Sequence, residues 1–103
     1  MENEMEMQSN VVVEEKIELE MPSKYKVIFH NDDITPMGFV VEILNNVFDM
    51  EREKALSVMM EIHTNGKGIA GTYIKSIADA KATLVREVAM KAEYPLNVVV
   101  EKN

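Results

Sequence analysis

Hydrophobic and polar positions change their period several times along the chain, and each change marks an element. From Lys24 to His30 the period is two, with Tyr25, Val27 and Phe29 on one side and Lys26, Ile28 and His30 on the other, which predicts a strand. Asn31-Asp32-Asp33 stops it, because these short polar side chains bond their own backbone in turns. Thr35-Pro36 is expected to open a helix, with Thr35 as its cap and Pro36 at the first position, where a missing N–H costs nothing. Phe39, Val40, Ile43, Leu44 and Val47 then form one apolar face. Asp49 is expected to cap a second helix, whose Ala55, Val58, Met59 and Ile62 recur at i, i+3, i+4 and i+7. Asn65-Gly66 ends it, since both residues tolerate the left-handed conformation of a helix stop.

Lys67 to Ile74 reads as a second strand, weakened by Gly68 and Gly71. Ser76-Ile77-Ala78-Asp79 has the form of a capping box and predicts a third helix to about Ala92, with Ile77, Ala80, Leu84 and Val88 inward. Pro95 breaks any continuation, and Leu96, Val98 and Val100 alternate with Asn97, Val99 and Glu101 as a last strand. The order β-α-α-β-α-β predicts an α+β fold, a three-stranded antiparallel sheet packed on three helices, over residues 23–103.

Charge changes the picture at the N-terminus. Residues 1–22 hold seven glutamates against Lys16 alone, so most of the net charge of -7 lies there. The only apolar cluster in this stretch is Val11-Val12-Val13, too little to offset the entropy of ordering it. A flexible, disordered acidic arm ending at Pro22 is the expectation, and the remaining domain is close to neutral. No basic patch is visible, so nucleic acid is not an expected partner. There is no cysteine, which removes disulfides and thiolate chemistry. No apolar run approaches the roughly 20 residues of a membrane span, and no secretory signal is visible. A cytoplasmic protein away from membranes is expected, and a monomer.

The catalytic inventory is thin. None of the serines (Ser9, Ser23, Ser57, Ser76) sits in a nucleophile-elbow pattern. Gly66-x-Gly68-x-x-Gly71 spells a dinucleotide motif, but inside a predicted strand rather than between a strand and a helix. What stands out is Asn31, Asp32 and Asp33 after the first strand and His63 at the end of the second helix, two points that a compact β-α-α unit can bring together. These residues suit a turn, a helix start and a helix end without any ligand. They also suit a metal site from Asp32, Asp33 and His63, which would make a metal-dependent hydrolase. A third reading is an ammonium site. A protonated amine has three donors, and the carboxylate of Asp32, the amide oxygen of Asn31 and a neutral His63 imidazole supply acceptors. Ile34, Met37, Val40, Met59, Ile62 and Leu96 lie near these residues in the chain or fold and could wall a pocket for the side chain attached to that amine.

Two longer segments carry a resemblance. Val27 to Val40 reads VIFHNDDITPMGFV, and Met59 to Gly71 reads MMEIHTNGKGIAG. Together with Lys81 and Pro95-Leu96, and with no gap between the segments, they resemble the ClpS family over about Lys24 to Lys102. The resemblance implies an adaptor without catalysis and without cofactor or metal. Such an adaptor binds N-terminal Leu, Phe, Tyr or Trp of substrate proteins, the N-degron, and delivers them to a ClpA- or ClpC-type unfoldase for degradation by ClpP. It further implies that Asn31, Asp32 and His63 bind the free α-amino group, and that Asp33 and Thr35 support the first residues of the peptide. Ile34, Met37, Val40, Met59, Ile62 and Leu96 line the pocket, Met37 as a gatekeeper against β-branched side chains. Lys81 meets the unfoldase, and the acidic arm assists delivery. Three positions depart from the family pattern: Ile34 where an aromatic is frequent, Gly38 where a glutamate is frequent, and Ser76 where an acidic residue is expected.

Overall fold

The computed structural model describes residues 22–103. The expected arm, with its Val11–Val13 cluster, lies outside them apart from Pro22. The elements run in the expected order: β1 Lys24–His30, α1 Met37–Asn46, α2 Arg52–Asn65, β2 Lys67–Ile74, α3 Lys75–Lys91 and β3 Asn97–Lys102. The sheet order is β2-β1-β3 and both pairings are antiparallel, so the first strand is central. Tyr25, Val27 and Phe29 enter one apolar core with the inward residues of all three helices. That core includes the predicted Ala55, Val58, Met59 and Ile62 of α2.

Three helix starts differ from expectation. α1 begins at Met37 after Pro36 and has no side-chain cap; Thr35 turns its hydroxyl back to Asp32 instead. α2 begins after Glu51, also without a side-chain cap, because Asp49 sits at φ 59° in the link between the helices. α3 begins at Lys75, so Ser76 is already inside the helix and the expected capping box does not form. Asp79 pairs one turn back with Lys75 at 2.9 Å.

The inward face of α3 is also displaced. Ala78, Ala82, Val85 and Ala89 are buried, whereas Ile77 and Leu84 are 45% and 46% exposed. Two stripes with the same period compete on this helix, and size decides between them. α3 crosses all three strands, and alanines let its axis come close to the sheet, where isoleucine and leucine would hold it away.

Two glycines of β2 answer to packing. A Cβ on Gly68 would stand 2.7 Å from Ile62 Cγ1, so the bare backbone is what lets α2 seat Ile62 against the strand. A Cβ on Gly71 would strike the Tyr73 ring, which folds back over it. The register shifts here: Val27 faces Gly71 and Ile28 faces Ile69, leaving Ala70 as the extra residue of a β-bulge.

Candidate functional site

The end of β1, the turn that follows it and the end of α2 meet at one corner of the domain. Gly66 takes φ 88° and its N–H bonds Ile62 O at 2.9 Å, closing α2 as expected. Its own carbonyl accepts from Asn31 N at 2.9 Å, so the α2 terminus is fastened to the first residue of the acidic turn. That single backbone bond draws Asn31 and the last turn of α2, which carries Ile62 and His63, into one neighbourhood.

Asp32 organises the turn. Its Oδ1 accepts from Ile34 N at 2.8 Å and from Thr35 N at 2.6 Å, and its Oδ2 accepts from Thr35 Oγ1 at 2.8 Å. Burial by itself pushes this carboxyl up. The bonds from Thr35 N, Ile34 N and the Thr35 hydroxyl outweigh burial and hold it below its usual value of 3.8. A carboxylate offers about four lone-pair sites. Three are occupied here, which leaves one on Oδ2 for a further donor.

Beside this turn is a shallow cavity of about 210 Å³, counted to its open mouth. Asn31, Asp32, Thr35, Val40, Met59, Ile62 and Leu96, all expected site residues, line it together. Polar groups of the turn and apolar side chains from α1, α2 and the approach to β3 thus share one concavity. At its centre it has about 10 Å³ for a guest, the room of a single water. A side chain entering it must move a wall, and Met59, unbranched and adaptable, also borders a second cavity into which it can shift.

The remaining expected residues lie elsewhere. Ile34 is 67% exposed on the turn, and Asp33 is exposed next to it. Met37 is 43% exposed and borders the second cavity, of about 290 Å³, between α1 and α2 with Val41, Leu56 and Met60. His63 is exposed on the last turn of α2 and is not among the cavity-lining side chains. Lys81 is remote from the corner: its Nζ donates to Val47 O at 2.7 Å and lies 5.7 and 5.3 Å from the ring centroids of Phe48 and Tyr73. Among the described residues, no three His, Asp or Glu side chains come together as a metal would need. The sequence reading missed His30, which lines the cavity as the last residue of β1. Its alternation with Ile28 on the side away from the core gave no sign of this.

Comparison with known proteins adds two findings. The family model described as "ATP-dependent Clp protease adaptor protein ClpS" matches residues 20–99. Among solved structures, the chain is similar to Agrobacterium tumefaciens ClpS2 bound to L-phenylalaninamide, with 34% identity and a TM-score of 0.78 over 81% of this chain and 100% of that one.

Proposed function

This chain belongs to the ClpS family of Clp protease adaptors, and from that premise we propose that it grips the N-terminal residue of substrate proteins and delivers them to a ClpA- or ClpC-type unfoldase for degradation by ClpP. It does so as a monomer in the cytoplasm, without catalysing a reaction. The observation that carries the reading is the union, in one cavity, of Asn31 and Asp32 with Val40, Met59, Ile62 and Leu96. The ligand bound to the Agrobacterium ClpS2 chain is the amide of phenylalanine. It presents a free amino group and an apolar ring, the two features for which such a cavity is suited.

The α-amino group of a peptide has a pKa near 8, so it is largely cationic at neutral pH. It donates to the free site on Asp32 Oδ2 and to the Asn31 amide oxygen, and His63, one residue beyond Ile62, swings over it as a third acceptor. Asp33 and Thr35 hold the backbone that follows. Ile34 and Met37, exposed at the turn and at the start of α1, fold over the first side chain as it enters. Lys81 faces the unfoldase.

The test is fluorescence anisotropy with a labelled peptide that begins in Phe, its N-acetylated twin, and a His63→Ala variant. Acetylation removes the charge and two donors, and should weaken binding by about 10- to 100-fold. His63→Ala should weaken the free peptide and leave the acetylated one unchanged. Equal binding of the two peptides would sink the proposal.

A further inference from the structure

We propose that the acidic segment of residues 14–21 docks on the open face of the sheet, laying Leu19 and Ile17 along β1 over Ile28 and Ile69, between flanking lysines. This goes beyond the adaptor reading and does not depend on it.

One face of the sheet has no helix on it. Val27, Phe29, Ala70 and Val98 belong to the core, so the residues that alternate with them, Lys26, Ile28, Ile69 and Val99, point the other way. Ile28 is 4% exposed yet stands outside the core cluster. Its register partners are Ile69 and Val99, which makes a short apolar row across all three strands. Ile69 in that row is 47% exposed. Around Ile28 and Ile69 opens a cavity of about 270 Å³, walled also by Lys26, Lys67, Glu61 and Glu101. Lys24 shares this face with Lys26 by alternation. Lys24, Lys26 and Lys67 thus outnumber Glu61 and Glu101 here, in a chain whose net charge is -7.

The occupant is the segment that leads into β1. Residues 1–21 hold seven glutamates against Lys16, opposite in sign to the face. In Ile17-Glu18-Leu19-Glu20-Met21 apolar and acidic residues strictly alternate, the pattern of an extended segment with one side for apolar contact. Chain geometry selects the place. Pro22 and Ser23 are exposed and outside any strand, and β1 begins at Lys24. β1 is paired on both sides, so the segment cannot join it within the sheet, and the helices cover the core face. Met21 to Lys24 is three steps, about 10 Å when extended, and β layers stack about 10 Å apart. A reversal there sets Leu19 level with Lys26 and Ile17 level with Ile28. Glu18 and Glu20 then lie beside the apolar contact, within reach of long lysine stems. The sheet face of a second copy would set lysines against lysines, and a tethered segment has the advantage of high effective concentration.

The experiment is paramagnetic relaxation in the NMR spectrum of the full chain. Lys16→Cys supplies its only thiol, which is labelled with a nitroxide. Amide signals are compared before and after the label is reduced, at low ionic strength. Docking should remove most of the intensity of Ile28, Ile69 and Val99. An undocked segment would broaden only the strand ends beside Pro22, at Lys24, Ile74 and Lys102. Ile69→Asp, and separately Lys26→Glu combined with Lys67→Glu, should restore the Ile28 and Val99 signals; signal dispersion in each spectrum reports whether the variant is folded. Broadening confined to the strand ends overturns the proposal, and so does broadening that either folded variant leaves in place. A mixture of nitroxide-labelled chain with isotope-labelled chain lacking the nitroxide tests for exchange between copies. Equal broadening there would assign the contact to a second copy and overturn docking within one chain.

Discussion

Asp32 is the residue on which the corner depends, because one carboxylate both builds the turn and offers its last lone pair outward. Its folded-state pKa lies below the ordinary 3.8, held there by the backbone and hydroxyl donors of Thr35 and Ile34. A group lowered on folding contributes stability above its unfolded value, and that stability disappears as the pH falls through the folded one. The loss should therefore appear below about pH 4. Urea unfolding followed from pH 5 to pH 2.5 should show a steeper decline for the wild type than for Asp32→Asn. Parallel curves would mean that the turn does not rely on the charge. The pattern Asn31-Asp32-Asp33 announced a turn at sight. It did not show that Thr35 belongs to that turn rather than to the helix, because a threonine before Pro36 suits either use and only the position of the Asp32 carboxylate chooses between them.

At the scale of elements, helix ends were harder to read than helix faces. α3 closes in a Schellman arrangement: Tyr94 N bonds Ala89 O at 2.9 Å and Glu93 N bonds Met90 O at 3.0 Å. Glu93 takes φ 65°, where glycine is usual. The side chain of a non-glycine residue costs roughly 1–2 kcal/mol in that conformation, against about 0.5–1 kcal/mol for the extra freedom that glycine loses. Glu93→Gly should then stabilise the fold by about 0.5–1 kcal/mol in urea denaturation, and Glu93→Ala should bring no such gain. The ring of Tyr94 packs edge-on against Phe39 at 4.9 Å, so this turn also secures α1. At the edge of the sheet, Arg86 of α3 donates through Nε and Nη2 to Val98 O, at 3.1 and 2.7 Å, covering part of the open edge of β3.

Across the whole molecule, Lys81 joins elements far apart in the chain. From α3 it reaches the carbonyl of Val47 at the end of α1 and sits by the rings of Phe48 and Tyr73. Burial, and after it the charge of Asp49, pushes the Tyr73 phenol up, so this ring stays neutral beside the ammonium. Lys81→Ala should cost about 1–2 kcal/mol of stability by thermal or urea unfolding. Under conditions where the variant is folded, affinity for a Phe-led peptide should be unchanged and association with the unfoldase weakened. A loss of peptide affinity would instead tie this clasp to the cavity. Among the described residues, no helix is long and apolar enough to cross a membrane.

By itself the sequence determined the order of elements, the inward face of α2, the stop at Gly66 and the turn at Asn31-Asp32-Asp33. These are local properties, set by period, by the φ a residue tolerates and by the donors and acceptors it carries. The tertiary structure alone decided which stripe of α3 is buried, because that depends on how close the helix comes to the sheet. It decided that Gly68 makes way for Ile62, since the clash is with a residue of another element. It also placed His30 in the cavity wall, since that wall exists only where the end of β1, α1, α2 and the approach to β3 converge.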